Sequence, residues 1–260
     1  MKPLKVLSID WDYFINATAE QRCSMFPDGG NENLPPFVQN LVWQTHYGNS
    51  DLENIGVNMK AFKAVTSMLE KTLNSSTQVF VADSHRHIYN TIHQEYEEKG
   101  CYDGLELVNI DFHHDYFGMR NSDQVDCGNW VNALFDEADE SSPLSWCNNL
   151  DKLYIWVCCE DSLKSSELDE KPWFNYGDLK HIGSSKQAWD IIFICRSSMW
   201  SPPHLDKKFL SLCKSVVNWD VFVKVKEMLP NRYNKEFSSS VEEHRKQIQA
   251  LFTERDKQKL

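Results

Sequence analysis

The run Val108-Asn109-Ile110-Asp111-Phe112-His113-His114-Asp115-Tyr116-Phe117 passes from apolar residues straight into acids and imidazoles. Side chains alternate along an extended chain, so Asp111, His113 and Asp115 leave the end of such a strand on one side. Carboxylates mixed with imidazole, and no thiolate, suit a hard or borderline divalent cation, manganese first, better than a structural zinc in a closed cysteine cage. Taken alone, the triplet is balanced by a plainer reading in which one Asp caps the following turn and one His merely packs.

Two other stretches change that balance. The chain opens Leu4-Lys5-Val6-Leu7-Ser8-Ile9-Asp10-Trp11-Asp12-Tyr13-Phe14, a second apolar strand ending in acids two residues apart. Asp10 and Asp12 share a face, and packing beneath Trp11, Tyr13 and Phe14 adds desolvation to their mutual repulsion. A bound cation removes both costs. A third strand, Gln78 to Asp83, runs into Ser84-His85-Arg86-His87 and contributes the imidazole of His85. Asp10, Asp12, His85, Asp111, His113 and Asp115 together offer four carboxylates and two imidazoles. That is enough for two cations if two carboxylates bridge, and two adjacent cations can share a hydroxide and polarise the group it attacks.

The elements needed to hold these residues follow from periodicity. Met59, Phe62, Val65, Met68, Leu69 and Leu73 form a 3.6-residue stripe, predicting a crossover helix over Asn58 to Leu73. A helix over Ile88 to Lys99, stopped by Gly100, leads to a strand over Leu105 to Ile110. Phe37, Val38, Leu41 and Val42 predict a short helix over Pro36 to Tyr47. Leu153 to Cys159 and Asp190 to Cys195 read as further strands, the latter as the last one, with Leu205 to Leu229 helical after it. Alternating strands and helices specify an α/β protein, a three-layer αβα sandwich with a mainly parallel central sheet, in one domain over 1–260. The polar, turn-rich Asn16 to Leu34, directly after two candidate ligands, is expected to be a loop or lid at the mouth of the site.

Asp-x-His-x-Asp, Ser-x-Asp-x-Asp and a strand-end His are the metal-binding pieces of the arginase and ureohydrolase superfamily, which the chain resembles at all three. The wording Ser8-Ile9-Asp10-Trp11-Asp12-Tyr13-Phe14, with Gly128-Asn129-Trp130 after the central motif, is most similar to the small branch of peptide arginases. Those enzymes convert arginine side chains of ribosomally made peptides to ornithine. The likeness is specific at three separated motifs, covers the first half of the chain and is loose beyond it. Motif order departs from ordinary arginases: here the Ser-x-Asp-x-Asp strand comes first, as in a circular permutation, which a compact domain with neighbouring termini tolerates.

The resemblance implies two manganese ions bridged by Asp10 and Asp111, with Asp12 and His113 on one, His85 and Asp115 on the other, and Asp12 carrying a proton to the departing amine. It also implies an acid that holds the guanidinium. Glu160 and Asp161, ending the strand over Leu153 to Cys159, are the candidates, because a planar cation is best met by a forked carboxylate. The glutamate that ordinary arginases carry on their last strand has no counterpart at the matching place. Asn129 has two open readings, a substrate hydrogen-bonder or a helix cap. Arg196 reads as a structural ion-pair partner before a peptide ligand, and His204, beyond two prolines, as a surface residue.

Composition sets outer bounds. At 260 residues, 41% hydrophobic and 12% aromatic, the chain can build a substantial core. A net charge of −11 disfavours nucleic acid and anionic membranes and favours cationic substrates such as an arginine-containing precursor peptide. Eight cysteines without a CxxC pair, no secretory segment and no membrane-length apolar run predict a cytoplasmic protein in which Cys158 and Cys159 are small buried hydrophobes. Two other functions fit the same residues: an amidinohydrolase or deacylase acting on a small molecule, and a metal-free binding module that keeps the fold.

Overall fold

The computed structural model describes residues 2–27, 32, 34–49, 51–100, 102–118, 124–135, 151–158, 166–184, 188–217 and 222–226. Its strands are β1 (Lys2–Asp10), β2 (Gln78–Ala82), β3 (Tyr102–Ile110), β4 (Asp151–Val157), β5 (Phe174–Tyr176), β6 (Ile191–Cys195) and β7 (Phe222–Lys226). They form one sheet in the order β5-β4-β3-β1-β6-β2-β7, and every pairing is parallel. The helices are α1 (Ala19–Met25), α2 (Pro36–Asn49), α3 (Met59–Thr72), α4 (His87–Lys99), α5 (Trp130–Phe135), α6 (Ser166–Asp169), α7 (Leu179–Ser184) and α8 (Asp206–Val217). Among the described residues no helix is long and apolar enough to cross a membrane.

Both faces of the sheet are covered, which explains why its strands read as nearly unbroken apolar runs. Leu7 and Ile9 of β1 and Ile192 and Ile194 of β6 pack with Phe62, Val65 and Leu69 of α3 and Phe209 and Leu212 of α8. On the opposite face Leu4, Val6, Ile191 and Phe193 meet Ile88 and Ile92 of α4 and Trp130 and Leu134 of α5. The result is the three-layer α/β sandwich expected. α3 starts where Asn58 accepts a hydrogen bond from the Ala61 amide at 3.1 Å, and α4 ends on Gly100 in the left-handed region (φ 55°), its N–H on the Tyr96 carbonyl.

Four expectations need correction. The stretch expected as a loop or lid contains helix α1, with a reciprocal cap in which Thr18 accepts from Gln21 N–H and Gln21 accepts from Thr18 N–H. The region expected as helix from Leu205 to Leu229 stops at Val217 and is followed by β7, where Phe-Val-Lys-Val-Lys alternates with the strand period. The short edge strand β5 lay unrecognised, because three residues carry no periodic signal. His204 is half-buried rather than on the surface: its Nδ1 lies 2.5 Å from the Tyr47 hydroxyl and its Nε2 2.8 Å from the Ile55 carbonyl. Glu160, Asp161 and Cys159 lie outside the described residues.

Candidate metal centre

Parallel strands that finish at one level place their exit residues in one crevice. Ile9 is level with Ile110, and Asp10 and Ala82 are both level with Cys195. The chain reverses direction across the sheet around β1, and the crevice outside the strand ends at such a switch point is the usual binding place in open α/β sheets. Asp10 and Asp12 arrive from β1, His85 from β2, and Asp111, His113 and Asp115 from β3.

All six meet. His85 Nδ1 lies 3.1 Å from Asp10 Oδ2, 3.2 Å from Asp111 Oδ2 and 3.0 Å from Asp115 Oδ2. His113 Nδ1 lies 2.9 Å from Asp12 Oδ2. Two groups emerge, Asp10 with His85 and Asp111, and Asp12 with Asp111 and His113, so Asp111 is common to both. The carboxylates are almost wholly buried, and only His113 is partly open, its side chain 25% exposed.

The donor set fits a cation pair. His85 Nδ1 and Asp12 Oδ2 are buried without an aligned hydrogen-bond partner, although charged atoms crowd around them. Within each of the two groups the donor atoms lie within 4.8 Å of one another, close enough for one cation to touch all three. Hard oxygen and imidazole donors, with no thiolate, match manganese or a similar divalent ion.

Electrostatics gives the same picture. Burial, with the repulsion of Asp12 and Asp111, raises Asp10 to about 6. Burial, with the charges of Asp115 and Asp12, raises Asp111 to about 7, and burial raises Asp115 as well. Burial alone would depress His113, but Asp12 and its neighbouring carboxylates lift it to about 9; His85, also buried, is carried well above its ordinary value by Asp10, Asp111 and Asp115. Asp12 is the exception: against the upward push of burial, His113 and Arg22 hold it below the usual carboxylate range.

A supporting shell fixes these side chains. Ser197 Oγ donates to Asp10 Oδ2 at 2.5 Å, Trp130 Nε1 to Asp115 Oδ2 at 2.5 Å, and Asn109 Nδ2 to Asp111 Oδ2 at 3.0 Å. The Ser8 hydroxyl meets His85 Nε2 at 2.6 Å and settles which ring nitrogen faces the acids. Phe193 stacks against the His85 ring at 5.9 Å and 8°. Arg22 reaches in from α1, donating to the carbonyls of Asp12 (2.8 Å) and Ile15 (3.0 Å) while its guanidinium sits 3.8 Å from the centre of the Phe112 ring. Asp115 and Ser197 both adopt left-handed backbone (φ 52° and 49°), conformations a non-glycine residue keeps only where surroundings enforce them.

Asn129 is placed by the structure as a turn and helix-entry residue. Its Oδ1 accepts from Asp126 N–H at 2.7 Å and its Nδ2 donates to the Gln124 carbonyl, so both polar ends have partners within the protein. Arg196 is structural, as expected: Nε and Nη2 bind Asp83 at 2.6 and 2.7 Å, and Nη1 binds Asp206 at 3.1 Å.

Sequence reasoning missed Arg22, Trp130, Ser8 and Ser197 as supports, and it missed Glu32. Glu32 lies beside Ser84 and Cys127 within the field of Asp10 and His85, and burial pushes it up to about 7. Only Thr18-x-x-Gln21 gave a readable signal here, a capping pattern announcing the helix that carries Arg22. No family model matches the chain, and no curated protein or solved structure is found to be similar to it.

Proposed function

We propose that the protein is a cytoplasmic binuclear manganese hydrolase that converts arginine side chains of a ribosomally synthesised peptide to ornithine, with release of urea. The observation that carries this reading is the convergence of four buried carboxylates and two imidazoles from three distant segments on one crevice, sharing Asp111. A cation pair bound there would lower the pKa of a water molecule and polarise the guanidinium carbon it attacks.

The chain's own residues supply the rest. Asp12, kept ionised by His113 and Arg22, can accept a proton at Oδ2 and pass it to the departing amine, so that water and guanidino group become urea and a primary amine. Ser197, Trp130 and Asn109 keep the carboxylates oriented throughout. An open cleft of ≈ 650 Å³ beside the β1, β3 and β4 ends, lined by Tyr13, Asn16, Asn58, Lys60, Phe112 and Lys180 among others, leaves room near the strand ends for a substrate of peptide size.

The test is incubation of the manganese-loaded protein with arginine-containing peptides, followed by mass spectrometry and urea assay. Loss of the elements of cyanamide from arginine, with urea in equal amount, is the expected result. Turnover of agmatine or free arginine but not of peptides would replace the substrate, and a protein that takes up no manganese would leave a binding module in place of the enzyme.

A further inference from the structure

Arg22, on α1, is buried, with 5% of its surface exposed. Its Nη2 donates to the carbonyls of Asp12 (2.8 Å) and Ile15 (3.0 Å), its Nε to that of Ala17 (3.4 Å), and the Phe112 ring centre lies 3.8 Å from the guanidinium carbon. The guanidinium is thus fixed between the chain leaving β1 and the chain leaving β3. One nitrogen is left over. Nη1 is buried, has no hydrogen-bond partner and lies 3.7 Å from Asp12 Oδ2, an oxygen likewise without an aligned partner.

Capping three carbonyls calls for donors, not for a permanent charge. A guanidinium is always protonated, and a buried charge is poorly screened by salt. Asp12 Oδ2 also meets His113 Nδ1 at 2.9 Å, so the group of Asp12, Asp111 and His113 contains a carboxylate already shared with a cation. The other group is placed differently. His85 Nδ1 has the acids of Asp10, Asp111 and Asp115 around it at 3.1, 3.2 and 3.0 Å, and among the described residues none of the three is paired with a lysine or arginine.

We propose that Arg22 is a positioning residue that acts through Asp12 to weaken cation binding at the Asp12–His113 position, so that the centre fills in a fixed order, the Asp10–His85 position first. The proposal rests on the cation-pair reading above. Two positive charges that face one carboxylate repel each other, and the guanidinium is held in place by three carbonyls and a ring. The centre then has one firmly held cation and one exchangeable one.

The experiment titrates the full chain, stripped with chelator, with manganese under electron paramagnetic resonance, which separates free ions, isolated bound ions and exchange-coupled pairs. Tm is measured alongside. Wild type should bind a first ion in isolation and a second more weakly, as a coupled pair; His113→Ala should keep the first and lose the second. Arg22→Gln, which keeps amide donors without the charge, should tighten the second ion about 10-fold and leave the first unchanged, whereas Arg22→Lys should keep the wild-type gap. A purely structural Arg22 gives the opposite sign, so unchanged or weaker second binding in Arg22→Gln would overturn the proposal. Loss of the first ion from His113→Ala, or two equal affinities in wild type, would overturn it too while leaving the metal centre intact. Where Tm shows Arg22→Gln to be unfolded, Arg22→Lys decides: a retained gap supports the proposal and a closed gap overturns it. Wild type that binds no manganese removes the cation pair and the proposal together; ordered binding without urea release keeps the proposal while the hydrolase reading falls.

Discussion

Asp111 differs from the other candidate ligands in serving both groups at once, with Asn109 holding one oxygen and the His113 amide the other at 2.8 Å. Asp111→Asn should therefore empty the whole centre, leaving manganese content near zero and no turnover. Ser197→Ala removes the hydrogen bond to Asp10 and a contact with Cys195 Sγ, and should weaken manganese binding by roughly 10–100-fold, the effect usual for a supporting residue. Metal analysis after dialysis against graded chelator separates the two, and equal losses in both variants would contradict a shared ligand. The convergence of the six candidate residues was legible because acids at the end of an apolar run have few structural uses. Glu32 was not, since Gly29-Gly30-Asn31-Glu32-Asn33 carries no period and no strand end to give the acid a direction.

Elements were readable in proportion to their repeat. The α3 stripe and the Gly100 stop gave helix boundaries within a residue or two, whereas the three residues of β5 and the switch from α8 to β7 fell below what periodicity resolves. Arg196 shows how elements are locked to one another: its guanidinium joins Asp83 at the end of β2 to Asp206 at the start of α8 from the exit of β6. Arg196→Met keeps most of the side-chain volume but removes the paired guanidinium from buried Asp83, and should lower stability by about 3–5 kcal/mol, as measured by urea unfolding. A loss under 1 kcal/mol would mean that Asp83 finds another cation or becomes protonated at little cost.

For the molecule as a whole, the centre ties stability to pH in a direction that metal should change. Raised His113 contributes stability in full below its unfolded value of 6.5, and the contribution is lost as pH rises through about 9. Raised Asp10 and Asp111 act with the same sign, losing their contribution between 3.8 and about 6 or 7. The metal-free protein should accordingly show a falling Tm from pH 6 to 9. Manganese held by these groups, as proposed, would compete with those protons, so its stabilisation should grow over the same interval and its uptake should release protons into weakly buffered solution. A metal-free Tm that rises across this interval would show that other groups govern the pH dependence.

The strand order carries one more consequence. β6 lies between β1 and β2, paired to both, although it begins only at Ile191, long after β3 has ended at Ile110. A nascent chain that has emerged only as far as Phe117 already contains all six candidate ligands but has no wedge to set Asp10 and His85 at the right spacing, and no Ser197 to turn the Asp10 carboxylate. If the centre binds metal as proposed, capture would be a late event in biosynthesis, reserved for chains whose central strand has slotted home.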